Sequence, residues 1–170
     1  MTENANDVAV LELYRTTVRN MLASDRPGLV PNASYKHAAI IIEELARSAK
    51  SRFFAYCEKL SCDVWTRQVI EQLQLAIQRN VDVEIVITDD SDIDAPEFLQ
   101  RHIRTLHLDQ LGDKKASYEA LNHFAVVDGK SVRLERNRQT REALFAANQP
   151  TVAEELEGIF SHLREASRAA

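Results

Sequence analysis

The sequence predicts a single α/β domain: a mixed sheet flanked by helices, with an extra helix at its N-terminus. Three observations predict it. Helical and strand periodicities alternate along the chain. The stretch VDVEIVIT (Val81–Thr88) ends in three consecutive branched residues, as in a strand covered on both faces. Finally, 170 residues of which 45% are hydrophobic suit one domain with a real core.

The elements follow in order. Asp7 to about Leu22 places Val8, Leu11, Tyr14, Val18 and Met21 at helical spacing, and Asp7 is placed to cap the first free N–H groups. SDRPGLVPNAS (Ser24–Ser34) holds two prolines and turn dipeptides, which reads as a linker. The expected organisation is therefore a helix and linker over 1–31 and a core domain over 32–170. A second helix runs from His37 to Lys50, and RFFAYC (Arg52–Cys57) suits a buried strand. Asp63 opens a third helix with Trp65, Val69, Leu73, Ala76 and Ile77 on one face, leading into Val81–Thr88. A short helix is expected over Pro96–Ile103 and a short strand over Thr105–Leu108. HFAVVD (His123–Asp128) and SVRLER (Ser131–Arg136) are two strands joined by a tight Gly129–Lys130 turn. A strand over Ala143–Ala147 and a helix over Val152–Arg164 close the chain, with Thr151 and Glu154 at capping-box spacing.

Charge and composition narrow the function. A net charge of −5 disfavours grip on nucleic acid or an anionic membrane over the whole surface, though not at a local basic patch. Cys57 and Cys62 are too few for a disulfide framework or a thiolate zinc site. No apolar run approaches a membrane span, and the first residues lack a signal pattern, so a soluble, cytoplasmic domain without membrane contact is expected. Asp90, Asp92 and Asp94 alternate as in a calcium loop. Ala95 and Arg101 stand where that loop needs glycine and glutamate, so a solvated acidic loop is the reading and no metal is expected. A glycine-rich phosphate loop and a nucleophile elbow are both missing from the sequence, and no cofactor is expected.

The run HAAIIIEELARSAKSRFFAYCEKLSCDVWTRQVIEQLQLAIQRNVDVEIVITD, followed by LNHFAVVDGKSVRLE, resembles the phospholipase D superfamily. Within it, the likeness is to the small single-motif nucleases, and it covers roughly Ser34 to Ala166. The resemblance implies a phospholipase D-like mixed sheet flanked by helices. The family signature, H-x-K-x4-D, is degenerate here. Aligning Asp128 with the family aspartate puts Leu121 at the nucleophilic histidine and His123 at the lysine. Sliding the frame to make His123 the nucleophile puts Ala125 at the lysine and Lys130 at the aspartate. Downstream, Glu135, Arg136 and Arg138 replace the family's glycine, serine and asparagine, and Glu142 is the candidate for a later acidic residue.

In the family, one histidine attacks phosphorus, a second protonates the leaving oxygen, and lysines neutralise the phosphoryl oxygens. A single-motif chain dimerises to assemble both halves. The candidate catalytic residues are therefore His123, Asp128 and Glu142, and the candidate anion-binding residues are Arg136, Arg138 and Lys130. The expected function is a catalytically inactive binding or scaffolding module, acting as a homodimer. A protein partner suits the charge, and a nucleic acid or phosphorylated ligand suits the arginine patch. The competing reading is a metal-independent phosphodiesterase using His123 across a dimer axis. For His123 itself the inert alternative is a hydrogen-bonded histidine at a strand start. For Arg133, opposite in face to Val132 and Leu134, it is a residue that coats the sheet. The N-terminal helix either covers a dimer surface or packs on its own core.

Overall fold

A computed structural model describes residues 5–24, 26–32, 34–90, 95–140 and 142–169. It contains one seven-stranded mixed sheet with helices on both faces. Six α-helices run over Ala5–Ala23 (α1), Tyr35–Ser48 (α2), Arg67–Gln78 (α3), Glu97–Gln100 (α4), Lys115–Glu119 (α5) and Pro150–Ala169 (α6). The strands are Gly28–Asn32 (β1), Arg52–Cys57 (β2), Asp82–Ile87 (β3), Ile103–Thr105 (β4), Phe124–Val127 (β5), Ser131–Asn137 (β6) and Glu142–Ala147 (β7). Their order across the sheet is β1-β7-β6-β5-β2-β3-β4. The β2, β3 and β4 strands are parallel, and the other pairings are antiparallel.

Each face has its own apolar core. Phe53, Ala55, Val83, Ile85, Ala125, Val127 and Phe145 face α1, α2 and α3. Phe54, Tyr56, Val86, Phe124, Val126 and Val132 face α6, whose Ala153, Leu156, Phe160 and Leu163 cover them. Burial of both faces explains why the central strands read as nearly unbroken apolar runs.

Local chemistry sets the helix starts. The Ser34 hydroxyl accepts from the His37 N–H and begins α2, two residues before the expected start. Thr66 does the same for α3 through Val69 N–H. Asp63, expected to open that helix, instead lies in the preceding turn. Pro150 opens α6, where its missing N–H costs no helical bond, so this helix begins before the capping-box pair at Thr151 and Glu154. The acidic loop's Asp92 and Asp94 lie outside the described residues.

The segment expected to be a linker contains β1, an edge strand paired antiparallel with β7. Pro31 is tolerated there because an edge strand leaves alternate N–H groups unpaired. The N-terminal helix packs on its own domain. Val18 is fully buried, and Tyr14, Met21 and Leu22 pack on the same core. Arg15 and Arg19 of α1 form ion pairs with Glu43 and Glu44, which are buried on α2.

Candidate functional site

A cavity of about 270 Å³ lies at the carboxyl ends of β2 and β6 and the start of β5. Its walls come from three places: the first turns of α2, the loop from Glu58 to Trp65, and Arg138 beyond β6. Strand register builds its floor. Phe124 pairs with Leu134, and Glu135 N–H donates to the His123 carbonyl oxygen, so Glu135 sits beside His123. Arg133 is two residues before Glu135 and shares its face. Its neighbours across the sheet are Phe145 and Ala125, and beyond Ala125 comes Ala55. Two alanines in that row leave room for a long side chain beneath α2.

His123 is held from both sides. Its Nε2 accepts from the Glu58 backbone N–H at 3.2 Å, which assigns the ring proton to Nδ1. Nδ1 lies 2.9 Å from Oε2 of Glu135. Burial raises the Glu135 pKa, but contact with His123 and the nearby Arg133 charge outweighs it. The carboxyl is held below the ordinary glutamate range.

Arg133 is only 7% exposed. Its side chain makes no ion pair or hydrogen bond among the described residues, and its Nε is buried without a partner. Burial pushes its pKa down, and the Glu135 charge only partly restores it. Arg138 donates from Nη1 to the Glu119 carbonyl oxygen, while its own Nε is buried and unpartnered. The Tyr56 hydroxyl donates to the Tyr118 carbonyl oxygen at the same end of the sheet. Burial raises the Tyr56 pKa, and Arg138 opposes that rise.

Of the sequence-derived candidates, the structure brings His123 and Arg138 together. Asp128 lies at the other end of β5, about 17 Å along the strand. There it accepts hydrogen bonds from the backbone N–H groups of Lys50, Ser51 and Arg52 and from the Ser51 hydroxyl. Burial raises its pKa, those N–H donors lower it, and the net shift is downward. Lys130 is exposed in the β5–β6 turn at that same far end. Arg136 is exposed on β6, and Glu142 is exposed opposite Asn137 at the start of β7. Neither lines the cavity. The arginine patch is thus dispersed, with Arg141 outside the described residues.

Arg133 and Glu135 also line the cavity, and sequence reasoning did not single them out as site residues. The available signal was two charges alternating along a strand whose neighbours on both sides are also strands. Such a strand is central in the sheet, but that position does not say which of its faces is covered. No cluster of three His, Cys, Asp or Glu side chains fit to hold a metal occurs among the described residues.

By sequence, no family model and no curated protein matches the chain. By structure, it is similar to Nuc of Salmonella typhimurium, a phospholipase D family member. The two share 16% identity and a TM-score of 0.53, over 82% of this chain and 95% of Nuc. The fold is phospholipase D-like. NucT from Helicobacter pylori is also similar, with TM-score 0.57 and 14% identity, over 83% of this chain and 96% of NucT. TrmBL2, an archaeal chromatin protein described as showing a novel mode of DNA binding, gives a TM-score of 0.60 at 14% identity. That match takes in 95% of this chain, which spans about three fifths (61%) of TrmBL2. What is shared at these identities is the arrangement of the mixed sheet and its helices. No helix among the described residues is long and apolar enough to cross a membrane.

Proposed function

We propose that this phospholipase D-like domain is catalytically inactive and works by binding, as a homodimer. The observation that carries the reading is the state of His123. Nucleophilic attack on phosphorus needs a free imidazole lone pair, and the Nε2 lone pair is taken by the Glu58 N–H. The rest of the site opposes the chemistry as well. Ala125, two residues along the strand from His123, offers no positive charge. The Glu135 and Glu58 carboxylates line the same cavity and offset two of its three cationic side chains. No lysine stands beside His123 to neutralise the phosphoryl oxygens as the charge on them develops, and removing such donors costs orders of magnitude in rate.

Self-association is supported by Val8, Val10 and Leu13, apolar side chains that α1 leaves in solvent. The net charge of −5 favours a protein partner over nucleic acid on the outer surface.

The test is hydrolysis of bis(p-nitrophenyl) phosphate and of single-stranded DNA in the presence of a chelator, alongside His123→Ala. The expected result is no turnover above the variant's. Turnover that disappears in His123→Ala overturns the proposal and makes the protein a metal-independent phosphodiesterase. Sedimentation velocity reports the dimer, and a monomer at micromolar concentration removes that part of the reading.

A further inference from the structure

We infer that the cavity beside His123 is a binding site for a small organic monocarboxylate with a hydrogen-bond donor next to the carboxyl group, an α-amino or α-hydroxy acid. This inference rests on the binding reading above and supplies its ligand class.

An arginine more than nine-tenths buried, with no side-chain partner among the described residues, is costly in an empty protein. Arg133 lines the cavity, so an anion entering it meets that charge directly. Arg138, with its own unpartnered Nε, lines the same space. The first turn of α2 lines it too, adding the partial positive charge of a helix N-terminus.

The balance of charge in the cavity selects a monoanion. Arg133, Arg138 and Lys59 face the cavity against Glu58 and Glu135. One negative charge neutralises the set. The second charge of a phosphate monoester dianion would lie beside Glu135. Oε2 of Glu135 is buried 2.9 Å from Nδ1 of His123 and has a second lone pair open to a further donor. An ammonium or hydroxyl group on the carbon next to the ligand's carboxylate supplies one.

The size of the cavity narrows the ligand further. A cavity of about 150 Å³ holds benzene. The 270 Å³ here admits one ring-sized or branched apolar group and a compact polar head, against the apolar wall of Ile42 and Trp65. A nucleotide or a folded peptide segment is too large.

The test is thermal unfolding of the full chain with L-phenylalanine, L-leucine, L-phenyllactate or inorganic phosphate, with calorimetric titration of any probe that acts. The expected result is that at least one carboxylate raises Tm by about 5–10 °C at a hundred-fold excess over its Kd, and phosphate does not. Arg133→Met should remove the rise while leaving the unliganded Tm unchanged or higher, because it deletes an unpaired buried charge. If Arg133→Met fails to fold, Arg133→Lys keeps the charge but loses the planar fork, and should weaken the carboxylate at least ten-fold. Three outcomes overturn the inference: no carboxylate acts on the wild type, the rise survives in these Arg133 variants, or phosphate acts and the carboxylates do not. Hydrolysis of bis(p-nitrophenyl) phosphate by the same preparation sinks catalytic inactivity instead, a separate readout from carboxylate binding.

Discussion

Replacing Asp128 should unfold the protein more easily without touching the cavity. Its carboxylate accepts from four donors, three of them consecutive backbone N–H groups at the start of β2. It thus ties the entry of a central strand to the β5–β6 turn. A hydrogen bond to a charged group contributes about 1.5–3 kcal/mol. Lys50, Ser51 and Arg52 are exposed, so water recovers much of that loss. We therefore expect about 2–3 kcal/mol from the four bonds together.

Backbone conformation adds to this. Asp128 has φ of 53°, in the left-handed region that asparagine and aspartate tolerate better than alanine. Asp128→Ala should lose the bonds and strain the turn, for about 3–4 kcal/mol, or roughly 6–16 °C in Tm at this chain length. Asp128→Asn should cost about half as much, since it keeps one acceptor oxygen and the favourable backbone preference.

The pH dependence has a definite sign. The folded-state pKa lies below the ordinary aspartate value of 3.8. The contribution of Asp128 is therefore fully present above that value and is lost as pH falls through the folded pKa. The assay is thermal unfolding of wild type and both variants at neutral and acid pH. A Tm shift under about 2 °C for Asp128→Ala would refute the reasoning. So would equal shifts for the two variants.

Two further predictions follow from buried groups. Glu44 is 1% exposed and pairs with Arg15 and Arg19 of α1. Glu44→Ala should loosen α1 and cost about 1–3 kcal/mol, less than a fully buried pair because Arg19 is half-exposed and can rehydrate. Denaturant unfolding and proteolysis within α1 check it. Cys57 is buried, and burial pushes its thiol up to about 12, whereas Cys62 is exposed. A thiol reagent at neutral pH should modify one cysteine per folded chain and two after unfolding.

The sequence made the central sheet legible because its strands announce themselves locally. Val81–Thr88 is branched and apolar, and the tight turn at Gly129 fixes the β5–β6 pairing. The strand β1 was not legible. Its two turn-forming neighbours and Pro31 are what a linker also looks like, and its partner β7 lies at the far end of the chain. Pairing that depends on a distant segment leaves no mark on local periodicity. The same limit applies to the site. His123 was visible as chemistry, and Arg138 as charge. The burial of Arg133 and Glu135 depends on α2 crossing the face of β6, and alternation along one strand does not say which face a helix covers. Asp128 is the converse case. It was picked out by its place in a motif, and what the structure shows is a turn anchored to the start of β2.

Catalytic inactivity rests on an occupied Nε2 lone pair at His123, and long-range ¹H–¹⁵N NMR of the histidine rings measures that directly. The ring is assigned by its loss in His123→Gln, at about pH 8, above the ordinary histidine pKa. The predicted result is a fixed Nδ1–H tautomer with Nε2 shifted as a hydrogen-bond acceptor. An Nε2–H tautomer, or a ring averaging between tautomers as a free imidazole does, would contradict it and return His123 to the pool of competent nucleophiles.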